Sequence, residues 1–243
     1  MKKIQSFVRE HQLWRNALWL LLFVPLFFLS QLPLISMLFS IRNGLDAWIV
    51  TLLTLVATVV VLFVFYVVIK KSPLENIDIR VITWPALGRN FLFFLLLIAN
   101  NMLAYPLLQQ EGSDTTKNQM ALMELQAHAP FLAMGMVVIL VAPILEELLC
   151  RTIIPRLIFR GAEPIGYLAG ALFFTFLHGP STLGEWVAYG GMSLIITWVA
   201  YRYKRIEYSI CLHMTLNALA YYSPAVLLLC LLPVSRVFFP DKL

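Results

Sequence analysis

Apolar residues along this chain come in unbroken blocks rather than in alternation. No Asp, Glu, Lys or Arg falls within residues 17–41, 47–69, 90–110 or 125–145. Each block is at least as long as the ~20 residues that carry a helix across ~30 Å of hydrocarbon. A membrane-barrel strand alternates lipid-facing with lumen-facing side chains, and residues 52–68 show no such alternation. The elements predicted are therefore membrane helices. Eight spans are read, at 17–39, 47–69, 91–108, 131–150, 165–178, 186–201, 208–222 and 224–239, the last four short or poorly separated. The fold class expected is all-α, a polytopic transmembrane helical bundle of about eight spans, with residues 1–243 forming a single membrane domain. There is no internal repeat and no low-complexity tract.

Composition sharpens this reading. Hydrophobic residues make up 60% of the chain and charged residues 13%, and the mean hydropathy is +0.82. A soluble domain carries about a quarter charged residues, so this chain has too little polar surface to face water. The polar N-terminal stretch and the long run after it, with no small-x-small site, do not read as a cleaved signal peptide. Cys150, Cys211 and Cys230 show no C-x-x-C spacing, so neither a disulfide framework nor a thiolate metal site is implied. Cys150 as a nucleophile is a lesser reading beside that of a packed membrane cysteine.

Charge gives the orientation. With a cytoplasmic N-terminus, 16 of the 18 basic residues lie on inner segments or inner span ends, and only Arg42 and Lys117 lie outside. That bias follows the positive-inside rule and accounts for the net charge of +5 without a nucleic-acid partner. It implies both termini in the cytoplasm, a plasma-membrane location and a bacterial setting. Residues 70–90 read as a polar inner loop holding Pro73, Pro85 and Gly88, and residues 109–130 as an acidic outer loop. Within the outer loop Thr116-x-x-Gln119 has the form of a capping box, followed by a helix-prone stretch that stops at Pro130.

Charges inside membrane segments are expensive, and each is a functional candidate. The fourth span ends in Glu146, Glu147 and Arg151. Glu147 and Arg151 are four apart and can pair on one helical face. Glu146 lies about 100° round the helix, without a local cation, and is free for general-base work; the alternative is that both glutamates merely end the span at the interface. Phe174-x-x-x-His178 puts a ring and an imidazole on one face of the fifth span, and His213-x-x-x-Asn217 an imidazole and an amide on one face of the seventh. Counting ~1.5 Å per residue from inner ends at Ile158, Pro164 and Lys204, Glu146 lies ~18 Å up, His178 ~21 Å, His213 ~14 Å and Asn217 ~20 Å. They share one layer. Pro155, which in an α-helix removes the bond to the Arg151 carbonyl, is the position that threatens this register.

Glu-Glu-x-x-x-Arg, Phe-x-x-x-His and His-x-x-x-Asn, in that order within residues 142–220, resemble the CAAX protease and bacteriocin-processing (CPBP, Abi) family, which includes the type II CAAX prenyl endopeptidases. Asn118, Gln119 and Pro143 add to the resemblance. It implies an intramembrane endopeptidase in which Glu146 and His178 activate water while His213 and Asn217 stabilise the oxyanion, supported by Glu147, Arg151 and Phe174. The expected substrate is a peptide or another membrane protein. No serine or cysteine pairs with either histidine as a nucleophile. Two histidines and a glutamate could also hold zinc; without a His-Glu-x-x-His pair the preferred reading is metal-free, with no cofactor. The rival class is a non-catalytic membrane binding protein, such as a bacteriocin-immunity factor or a scaffold. A transporter ranks third, for want of repeat symmetry.

Overall fold

The computed structural model describes residues 2–74 and 77–222, with side chains from Gln12 onward. The expected eighth span, 224–239, lies outside the described residues. Among the described residues nine helices follow one another: α1 Lys2–Ser30, α2 Leu32–Arg42, α3 Ala47–Lys71, α4 Trp84–Gln110, α5 Lys117–His128, α6 Phe131–Ile158, α7 Glu163–Leu177, α8 Leu183–Tyr203 and α9 Ile206–Tyr222. A single 3-10 turn, Ile79–Val81, precedes α4. The protein is all-α, and no strand occurs among the described residues. Among the described residues four helical stretches are long and apolar enough to cross a membrane: Gln12–Arg42, Ala47–Lys71, Trp84–Gln110 and Phe131–Ile158.

The distribution of surfaces is that of a membrane protein. Phe39, Phe63 and Leu92 are more than 60% exposed, as are many other large apolar side chains. Soluble monomers do not present apolar surface on this scale. The interior, in contrast, holds Glu147, Arg151, Ser193 and Ser209, each at most 1% exposed. Around these polar groups a core forms from Phe65 of α3, Leu149 and Ile153 of α6, Phe174 of α7, Ile196 of α8 and Leu212 of α9.

Several boundaries differ from those the sequence suggested. The third span begins at Trp84 rather than 91, because Pro85 sits in the first turn of α4, where its missing N–H costs nothing. Its Asn90 and Asn100 donate to the carbonyls of Tyr208 and Ala188, 2.9 and 3.0 Å away, stitching α4 to α9 and α8. The first span bends at Gln31, between α1 and α2, with Pro33 opening the second piece. Helix α5 starts and stops as expected: Thr116 accepts from the Gln119 N–H at 3.2 Å, and Ala129 caps its end ahead of Pro130.

The fourth span departs most. It does not break at Pro155 but runs on to Ile158 by changing pitch. Met136–Val141 and Leu148–Ile158 are π-helical, flanking one α-helical stretch, Ala142–Glu147. The i→i−5 pattern is visible in the Phe159 N–H bond to the Ile154 carbonyl, 3.0 Å. In that register the bond Pro155 cannot make is to the Cys150 carbonyl, not to that of Arg151. Gly170 of α7 packs on that same carbonyl, so close that a Cβ there would collide with its oxygen. A Cβ on Gly166, one turn earlier, would likewise lie only 2.6 Å from Pro155 Cα and Phe159 Cβ. Gly166-x-x-x-Gly170 is thus a small-residue seam of the kind that lets membrane helices approach closely. Replacing Gly170 by Val forces two backbones apart, and overpacking of this type costs at least about 1–3 kcal/mol. The expected result is a marked fall in folded Gly170→Val protein in membranes and a lower melting temperature in detergent. Gly88→Ala, with open space at its Cβ, should leave both near normal.

Candidate active site

The short α-helical stretch between the two π segments of α6 presents Glu146 and Glu147 to different surroundings. Glu147 is fully buried and meets two partners through Oε1: Arg151 NH1 at 3.2 Å and His213 Nδ1 at 3.1 Å. Arg151 is 1% exposed. Its Nε donates to Thr197 Oγ1 at 3.2 Å, and NH2 donates to Ser193 Oγ at 3.0 Å and to the Ser193 carbonyl. The guanidinium also lies 4.3 Å over the Phe174 ring. Arg151 is therefore an interior group rather than an interfacial one. Glu147 was expected to serve Arg151; it holds His213 as well.

Glu146 keeps 27% of its side chain exposed, and its Oε2 lies 3.8 Å from His213 Nε2. On its own helix Glu146 has no cation beside it, as expected, and the seventh span brings an imidazole next to it.

His213 and Asn217 come from α9. The Nδ1 contact with the Glu147 carboxylate calls for a proton on Nδ1 and turns Nε2 toward Glu146. One Asn217 amide N–H donates to the carbonyl of Val138, 2.9 Å away, inside the first π segment of α6. The amide group has two N–H donors, so a second remains for other use.

His178 follows the last residue of α7 as its C-cap. At 15 residues and ~1.5 Å per residue, α7 is shorter than the ~30 Å of hydrocarbon. The imidazole Nδ1 lies 2.9 Å from the Phe174 carbonyl. A carbonyl only accepts, so the proton is on Nδ1 and Nε2 carries the lone pair when the ring is neutral. Two rings sandwich it: Phe174 at 4.5 Å and Tyr189 at 4.4 Å.

Glu146, His178, His213 and Asn217 line one cavity of about 520 Å³. The layer inferred from helical rise is thus realised, with all four side chains at a common site. Asn118 and Gln119 of α5 line it too, together with Phe27 and Gln31 where α1 meets α2. Glu147 and Arg151 stay behind the wall. Cys150 is fully buried and does not line the cavity.

Some contributors were not picked out from the sequence. Tyr189, Ser193 and Thr197 repeat every four residues on α8, giving that span a polar stripe that faces the site; this periodicity was the available signal. Val138 contributes through its backbone, for which side-chain patterns hold no signal.

The fold and the site together define the protein class: an all-α membrane bundle with a cavity whose Glu, His, His and Asn side chains come from three of its later helices. Comparison with known proteins agrees. Residues 128–219 match the family described as type II CAAX prenyl endopeptidase Rce1-like. UPF0177 protein YvdC of Lactococcus lactis subsp. lactis (strain IL1403) is 28% identical over 214 residues, covering 84% of this chain and 76% of the relative. The CPBP-family resemblance carried by the three motifs is thereby borne out. No solved structure gives a significant match.

Because both members of the buried pair have further partners, a charge swap should fail where a simple two-body pair would be rescued. Glu147→Gln leaves Arg151 without its counter-charge, a loss of about 3–5 kcal/mol for a buried pair. Glu147→Arg with Arg151→Glu sets a cation against His213 Nδ1 and a carboxylate against the Ser193 carbonyl. Membrane abundance of folded protein should fall in the single variant and stay low in the double. Recovery to wild-type abundance in the double variant would show that the His213, Ser193 and Thr197 contacts carry little weight.

Proposed function

We propose that this protein is an intramembrane endopeptidase that hydrolyses a peptide bond without a covalent intermediate. The observation that carries the reading is the meeting of Glu146, His178, His213 and Asn217 on one cavity, in a segment that matches the Rce1-like family. Glu146, the half-open carboxylate, takes a proton from water as general base. His178, with Nδ1–H committed to Phe174, offers Nε2 as a second acceptor for that water. The resulting hydroxide adds to the scissile carbonyl. In its doubly protonated form His213 keeps Nδ1–H on Glu147 and presents Nε2–H to the oxyanion, beside the second N–H of Asn217. The proton held on Glu146 then passes to the departing amine. Glu147 orients His213 as a buried carboxylate orients a working imidazole.

The site is read as metal-free. In support, among the described residues no three His, Cys, Asp or Glu side chains form a metal-holding group. The substrate is a peptide or a membrane protein, reached within the lipid bilayer. Glu146→Gln preserves shape and removes the acceptor, so activity against a peptide library should fall ~10²–10⁴-fold at unchanged abundance. Chelators should leave wild-type activity intact. Full activity of Glu146→Gln, or stoichiometric zinc lost in His178→Ala, would overturn this mechanism.

The location proposed is a bacterial plasma membrane, with both termini cytoplasmic and residues 109–130 outside. A cysteine introduced as Ser113→Cys should then react with impermeant reagents added to intact cells. Labelling only after the cytoplasmic face is opened would invert the topology.

A further inference from the structure

Tyr189 belongs to none of the three motifs, yet it reaches the site from α8. Its ring stacks on the His178 imidazole with centroids 4.4 Å apart and planes 26° from parallel. Phe174 covers His178 at 4.5 Å and 37°. The Tyr189 hydroxyl is hydrogen-bonded to Thr116 Oγ1. Thr116 is buried and caps α5, the outer helix whose Asn118 and Gln119 line the cavity. One turn before Tyr189 on the same helix, Glu185 accepts from the Lys117 N–H at 2.8 Å and from the Ser181 N–H at 2.7 Å. The outer segment is therefore pinned to α8 at two successive turns, and the second pin is the residue that stacks on His178.

We infer that Tyr189 is a positioning residue for this site, fixing the plane and tautomer of His178 and linking that ring to the outer segment through Thr116. The imidazole torsion is a broad, two-fold one, so an unsupported ring can tilt or flip. The Phe174 carbonyl distinguishes the two flips, since only Nδ1–H can donate to it. The stacked ring restricts the tilt that would lengthen this bond and admit the other tautomer. Without Tyr189, Nε2 would no longer be held as the free acceptor, nor aimed steadily at a water beside Glu146. Only the catalytic consequence rests on the endopeptidase reading; the effect on the imidazole does not.

The test uses the full-length protein, labelled with ¹⁵N-histidine, in detergent micelles. Nitrogen–proton correlation spectra at alkaline pH report the tautomer of each histidine, with His178 assigned by its loss in His178→Gln. Wild type should show His178 as the single Nδ1–H tautomer, and Tyr189→Phe, which keeps the flat face but loses the Thr116 bond, a partial loosening. Tyr189→Met, similar in bulk but without a flat face, should show a mixture or exchange-broadened signals. Against a peptide library, Tyr189→Met should lower kcat ~10–100-fold, the scale of a misplaced catalytic group, with KM little changed and Tyr189→Phe in between. If Tyr189→Met does not accumulate, Thr116→Val should loosen His178 in the same spectra and Thr116→Ser should restore it. An unaltered His178 signature in Tyr189→Met, or in Thr116→Val where that stands in, would overturn the proposal. Altered spectra in a protein whose wild type cleaves no peptide would support the Tyr189 role and dismiss the endopeptidase reading.

Discussion

The buried contact of Glu147 with Arg151 and His213 is the constraint on which the rest of the structure depends. A carboxylate and a guanidinium away from water carry a desolvation penalty of several kcal/mol per ion, and their attraction offsets it only with good geometry and further hydrogen bonds. Here those partners come from several helices. Thr197 and Ser193 of α8 hold the guanidinium, Phe174 of α7 supplies its ring face, and His213 of α9 meets the carboxylate. Ser193 in turn donates to the Ala171 carbonyl of α7 at 2.9 Å. Satisfying one ion pair thus fixes four helices relative to one another. All four contribute to the cavity wall, which α1, α2, α4 and α5 complete.

The pitch of α6 serves the same end. A uniform α-helix through Pro155 would lose a hydrogen bond and kink. The π-helical segments widen the helix on either side of the two glutamates, and π segments of this kind recur at functional sites. The first one exposes the Val138 carbonyl that orients Asn217. The second carries Pro155 and leaves the Cys150 carbonyl to the close approach of Gly170. Irregular backbone at membrane depth is tolerated where protein covers it, and α7 and α9 provide that cover.

The two adjacent glutamates show how environment divides labour between identical side chains. Glu147 has no exposed surface and its Oε1 is shared between two partners, so it is suited to hold its neighbours still. Glu146, one residue earlier and about 100° round the helix, faces the cavity and keeps more than a quarter of its side chain open. Exchange with water is available to one of them only.

The all-α membrane class and the identity of the polar groups within its spans were legible in the sequence because they follow from local rules. Twenty uncharged residues span a bilayer whatever their neighbours, and Glu146, His178, His213 and Asn217 stand out since polar groups at that depth are rare. Thr116 declares the start of α5 through a bond to Gln119, three residues away. The pitch of α6 was decided by tertiary packing, because the Cys150 carbonyl left by Pro155 is covered only once Gly170 arrives from another helix. The second partner of Glu147, the imidazole beside Glu146, the carbonyl under Asn217 and the ring over His178 were likewise decided there. Each joins residues far apart along the chain, and helical periodicity reports which face a residue occupies but not which helix that face will meet.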